Sequence, residues 1–178
     1  MRLLTIGHGT LLAEEFIGLL RAAGVARLID IRSAPGSRHN PQFGRAEMER
    51  WLPAGCIAYE WDRALGGFRK TLPDSPNTAL RHASFRGYAD HMLTPDFATA
   101  AKELLFSARS VSTAVMCSET LWWRCHRRLL SDYLTLVRDV EVRHLMHDAS
   151  THAHRLTDGV RFVDDHVVYD VPPATLGA

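Results

Sequence analysis

Three cysteines in 178 residues, none of them in a Cys-x-x-Cys, give no disulfide framework and no closed zinc motif. An excess of either charge is also missing. Lys and Arg total 21 against 20 Asp and Glu, so no global field draws the chain to nucleic acid or to an anionic membrane. Anion binding, if present, must come from local clusters. No apolar run approaches the roughly 20 residues that cross a bilayer. His8, Glu14 and Glu15 interrupt the N-terminal leucines before a signal-peptide core can form. Repeats, heptads, low-complexity tracts and dividing linkers are absent. These absences predict one cytoplasmic domain spanning residues 1–178, kept in a reducing setting, with no membrane partner. They name neither a cofactor nor an oligomeric state.

What the sequence does contain is alternation of short apolar runs with helical periodicity. Residues 3–7 read as a strand. A helix capped by Thr10 follows, with Leu12, Phe16, Leu19, Leu20 and Ala23 on one face, and a second strand covers residues 25–31. Strand, helix and strand with short joints form a βαβ unit, which demands a parallel sheet and a right-handed crossover. Further on, a helix at 45–52 closed by Pro53 and Gly55, a strand at 56–61, helices at 85–92 and after Thr94-Pro95-Asp96, and a strand at 140–146 continue the pattern. Residues 147–156 read as a polar, histidine-rich segment with His152 and His154 in solvent. Residues 160–163 and 167–171 can pair as a small hairpin across Asp164-Asp165. Two long loops, residues 33–43 and 66–77, are unusual in so small a domain unless they cover a site.

The stretch from Val111 to Leu130 carries the most chemistry. An apolar strand delivers Cys117 and Glu119 to its end, and Cys125, His126, Arg127 and Arg128 open the next helix. Ionisable groups at a strand-to-helix turn need water or partners, so packing alone does not collect them there. His8, Asp30 and Arg32 end the two earlier strands. In an open parallel sheet, ligands bind outside the carboxyl ends of the strands. A helix N-terminus adds unpaired N–H groups and positive potential. Cys117, Glu119 and His8 are therefore the candidate reacting groups. Asp30, Arg32, Ser33, Ser37, Arg38, Cys125, His126 and Arg127 are the candidate ligand contacts, with Arg124 a further possible cation.

Each residue also has a plainer role open to it. Cys117 could be a small buried hydrophobe, since free cysteine is among the most buried residue types. Glu119 could pair with Arg127, and Asp30 with Arg32. A metal bound by Cys117, Cys125 and His126 lacks the spacing of a closed zinc site.

Thr5-Ile6-Gly7-His8, Asp30-Ile31-Arg32-Ser33-Ala34-Pro35 with Ser37-Arg38, Leu65-Gly66-Gly67, Cys117-Ser118-Glu119 and Cys125-His126-Arg127 resemble the domain of unknown function 488 family. Tyr88-Ala89 and His144 follow in the family's order. The chain departs from that pattern at 120–124, where Thr-Leu-Trp-Trp-Arg replaces a less bulky, proline-containing link. The resemblance implies a small Rossmann-like α/β domain with a mainly parallel sheet flanked by helices, and it implies no particular activity. The combined expectation is an enzyme binding a small anionic ligand, phosphorylated or nucleotide-like, at the strand ends. The alternatives are a non-catalytic nucleic-acid-binding or regulatory domain using Arg32, Arg38, Arg45 and Arg127 on phosphates, and rhodanese-like sulfur transfer through Cys117.

Overall fold

The computed structural model describes residues 1–36 and 38–170. Ser37 and the last hairpin residue expected from sequence, Val171, lie outside the described residues. In chain order the elements are β1 (Arg2–Gly7), α1 (Ala13–Ala22), β2 (Arg27–Asp30), α2 (Arg45–Ala54), β3 (Ala58–Trp61), α3 (Ala83–Met92), α4 (Pro95–Ala108), β4 (Thr113–Cys117), α5 (Arg127–Arg138), β5 (Glu141–Leu145), β6 (Thr151–Ala153), β7 (Val160–Val163) and β8 (His166–Tyr169). Six strands form one sheet in the order β3-β2-β4-β1-β5-β6, and β7 pairs with β8 separately. All neighbours in the large sheet are parallel except β5 and β6. This is an α/β fold with helices on both faces of a mainly parallel sheet.

Strand alternation divides the core in two. Leu4, Ile6, Leu28, Ala114 and Met116 point to the face covered by Phe16 and Leu20 of α1 and by Met48 and Leu52 of α2. Leu3, Ile29, Ile31, Val115 and Cys117 point to the opposite face, under α3, α4 and α5. The central strands β1 and β4 are buried on both sides, which is why their sequences are mainly apolar rather than alternating. Thr94 caps α4 through its hydroxyl, which accepts from the Phe97 N–H at 3.3 Å, and Pro95 fits the first turn.

Several local expectations shift. Thr10 does not cap α1; the Glu15 carboxylate reaches back to the Leu12 N–H at 2.8 Å instead. Pro53 does not end α2, because the last turn still closes through Gly55 N–H donating to Trp51 and Leu52 carbonyls. The histidine-rich segment holds β6, an antiparallel edge strand on β5. His152 is exposed, but His154 is not a surface residue: its side chain is 1 % accessible.

His154 is the middle of a buried polar chain. The Thr5 hydroxyl meets His144 Nδ1 at 2.7 Å, His144 Nε2 meets His154 Nδ1 at 3.0 Å, and His154 Nε2 meets Asp132 at 2.9 Å. Asp132 also accepts from the Tyr169 hydroxyl at 2.8 Å and from the Thr157 N–H at 2.9 Å. The chain therefore ties β1, β5, α5 and β8 together across the α5 side of the sheet. Trp122 lies flat on His144, with ring centres 4.0 Å apart, so the bulky residues 120–124 supply a lid for this network.

Two measurements test the network. Tyr169→Phe removes one donor from a buried carboxylate and should lower unfolding stability by about 1.5–3 kcal/mol; an unchanged denaturation midpoint would remove the hydroxyl from the account. Burial, and then the neighbouring His154, push His144 down to about 2. The ring stays neutral in the folded chain while its unfolded counterpart protonates near 6.5, so its contribution is complete above pH 6.5 and lost as pH falls below it. His144→Gln should flatten the decline between pH 6.5 and 4 by about 1.4 kcal/mol per pH unit. Parallel stability curves for the two proteins would contradict this.

Candidate functional site

The carboxyl ends of β1, β2 and β4 lie side by side, with Gly7 opposite Cys117 and Asp30 opposite Met116. Neighbouring strands thus bring the polar segments to one edge of the sheet. The alternation that divides the core then sends them to different faces.

On the α2 side sits a buried ion pair. Arg32 Nε donates to both carboxylate oxygens of Asp30, at 2.8 and 3.1 Å, while Nη2 binds Asp30 and the Phe43 carbonyl. Tyr59 donates a further hydrogen bond to Asp30 at 2.8 Å. The remaining guanidinium nitrogen, Nη1, lies 3.3 Å from His8 Nε2. His8 Nδ1 faces the Gly9 carbonyl at 2.9 Å and so carries the ring proton, leaving Nε2 to accept from Arg32. Burial first, and then the Arg32 charge, lower His8 to about 4. Stacked on Phe43 at 4.2 Å, His8 is neutral and fully partnered.

On the α5 side the sheet edge opens into a cleft of about 360 Å³. Arg32, Ser33, Cys117, Glu119, Cys125 and His126 line it, and so do Gly67, Phe68, Ser84, Phe85, Ser118 and Arg124. Cys117 and Cys125 are both nearly inaccessible, and their sulfurs touch. Their Cα atoms are 7.7 Å apart, beyond the usual span of a relaxed disulfide. The Arg127 N–H points at the Cys125 sulfur at 3.4 Å, within the first turn of α5. His126 Nε2 faces the Ile31 carbonyl at 3.0 Å and holds the proton there, so the bare Nδ1 faces the Cys125 sulfur at 3.5 Å. Burial is the main force lowering His126 to about 4, and it is neutral at pH 7. A side-chain carbon at Gly67 would lie 3.0 Å from this ring, so any larger residue would require the ring to give by a few tenths of an ångström.

Arg127 does not line the cleft. It is 1 % exposed, and its Nη2 holds the Glu119 and Thr120 carbonyls in the turn after β4. Its Nε is buried without a partner. A side chain at Gly7 would collide with this guanidinium and with the Glu119 carbonyl. Burial lowers Arg127 to about 9, still a cation at neutral pH. The hydrogen bond between Arg127 and Glu119 thus runs through the main chain, the carboxylate attracts Arg127 only through space, and Glu119, an exposed residue, is among those lining the cleft. Arg38 is exposed and outside the cleft lining. His8, Asp30 and Arg127 sit behind the cleft wall.

Sequence reasoning missed Phe68, Ser84 and Phe85. The available signal was an aromatic residue directly after Gly66-Gly67, in a loop with no other aromatic side chain. Among the described residues no three His, Cys, Asp or Glu side chains converge as they would around a metal ion. Within the same residues, no helix is long and apolar enough to cross a membrane.

Comparison with curated proteins and with solved structures gives no match. A family model does match, over residues 12–134, which takes in β2, β4, both cysteines of the cleft and most of α5. The chain belongs to the family described as domain of unknown function DUF488.

Proposed function

We propose that the strand-end cleft is the active site of an enzyme that acts on a small anionic molecule, with Cys125 as its nucleophile. The observation that carries this reading is the environment of the Cys125 sulfur. It meets a backbone N–H at a helix start, which favours the thiolate, and the bare Nδ1 of neutral His126, which can accept a hydrogen bond from the thiol and so fix its direction. Cys117, the thiol singled out by its place at the strand end, has only the other sulfur beside it. It serves in this reading as the neighbouring thiol. Arg124, exposed at the rim, supplies a counter-charge for the anion. Glu119 is the residue available for proton transfer at the mouth. His8 acts as a positioning residue that orients Arg32.

The contact between the two sulfurs favours sulfur transfer as a second reading. Cys125 thiolate would attack a sulfane sulfur, the donor would leave as its thiolate, and a persulfide would remain on Cys125 for an acceptor to take. The nucleic-acid reading has less support. Arg32 is committed to Asp30 and Arg127 to backbone carbonyls, while Arg45 pairs with Glu49 and lies over Trp61.

Alkylation followed by mass mapping tests the proposal. With a phosphine reductant present to keep Cys117 and Cys125 as thiols, iodoacetamide at pH 7 should modify Cys125 faster than the exposed Cys56, despite the burial of Cys125. Labelling confined to Cys56 until the protein unfolds would end the nucleophile assignment. Charge is tested by replacing iodoacetamide with iodoacetate. Arg124→Gln should reduce the iodoacetate rate at Cys125 by about two- to fivefold and leave the neutral reagent unaffected. Equal slowing of both reagents would point to a disturbed cleft rather than a lost counter-charge.

A further inference from the structure

Phe68 is 95 % exposed, the most exposed of the large apolar side chains in the described residues. It also has φ of +53°, a left-handed conformation that bulky side chains avoid. A loop free to relax would correct both faults by turning the ring inward. This one is not free. Arg69 donates to the carbonyls of Arg63, Ala64 and Gly66 at 2.9, 3.2 and 3.0 Å. Tyr88 donates to Leu65 at 3.0 Å, His91 to Ala64 at 2.6 Å, and Ser33 to Gly67. The carbonyls of residues 63–67 are all held, and Gly67 is pressed against the His126 ring. The fold therefore keeps the backbone on which this exposed aromatic ring is mounted in a fixed, strained position.

That place is the wall of the thiol cleft, where a second aromatic, Phe85, also contributes to the lining. Phe85 is itself held, with the Arg128 guanidinium 4.9 Å from its ring centre. At about 360 Å³ the cleft is at the small end of the range for ligand pockets, enough for one compact molecule. We infer that the ligand of this cleft carries a planar ring that stacks on Phe68, next to the anionic group held at the Arg124 rim. Phe68 is then a specificity residue, and its exposed face is covered only when the ligand is bound. This inference rests on the cleft being the ligand site, and does not require the Cys125 chemistry.

Calorimetric titration of the full chain with benzoate and with acetate tests it, since the two probes share a carboxylate and differ in the ring. Benzoate should bind about two- to tenfold more tightly than acetate, the range of an aromatic stacking contact. The preference should persist in Phe68→Tyr, which keeps the ring, and vanish in Phe68→Gly, which suits the left-handed backbone and so folds without strain. Cys125→Ser separates the two proposals. If benzoate still binds preferentially to that variant while alkylation shows no reactive thiol in the wild type, stacking stands and the nucleophile does not. Equal affinities for the two probes, no saturable benzoate binding, or a preference that survives Phe68→Gly would overturn the inference.

Discussion

The ion pair between Asp30 and Arg32 is the constraint on which the strand-end geometry depends. Both side chains are buried, and a buried charge left without its partner costs about 3–5 kcal/mol. That cost fixes more than the pair itself. Tyr59 at β3, the Phe43 carbonyl at the close of the 33–43 loop and His8 after β1 each supply one of the remaining hydrogen bonds. Three strand ends and a long loop are thereby locked into one arrangement. The Trp61 indole adds a hydrogen bond to the Arg32 carbonyl at 2.7 Å, fixing the main chain where the cleft begins.

The alternation of helix and strand was legible in the sequence because each element has a clean period and clear punctuation. The βαβ start, the Thr94 cap and the hairpin across Asp164-Asp165 follow from local chemistry that tertiary packing did not override. The family resemblance was legible because short motifs follow one another in the family's order over most of the chain. β6 was not legible. Its three residues carry no apolar alternation, and they form a strand because β5 offers a free edge. His154 was read as solvated for the same reason, as nothing local shows that Asp132, 22 residues earlier, waits to accept from it.

The candidate site was half legible. That polar groups end adjacent strands can be read from spacing, but side-chain direction depends on register. Asp30 lies opposite Met116, so Ile31 shares a face with Cys117, and Asp30 faces the other way with His8. A one-residue change in register would have exchanged the two groups. The role of Arg127 was hidden for a different reason. Arginine at a helix start usually reads as a solvent-facing cation, whereas here the first turn of α5 points inward.

That inward turn buries a positive charge whose only carboxylate, that of Glu119, acts on it through space rather than through a hydrogen bond. Arg127 has carbonyl oxygens for partners and no bonded carboxylate. Its field reaches His8, His126 and His144, and in each it works against protonation. Burial is the main force holding three imidazoles on both faces of the sheet neutral, and one guanidinium outside the cleft lining adds to it. The same field favours any negative charge formed nearby, and salt cannot screen it as it screens a surface arginine. Part of the positive potential at the strand ends therefore comes from within the core, independent of the side chains at the rim.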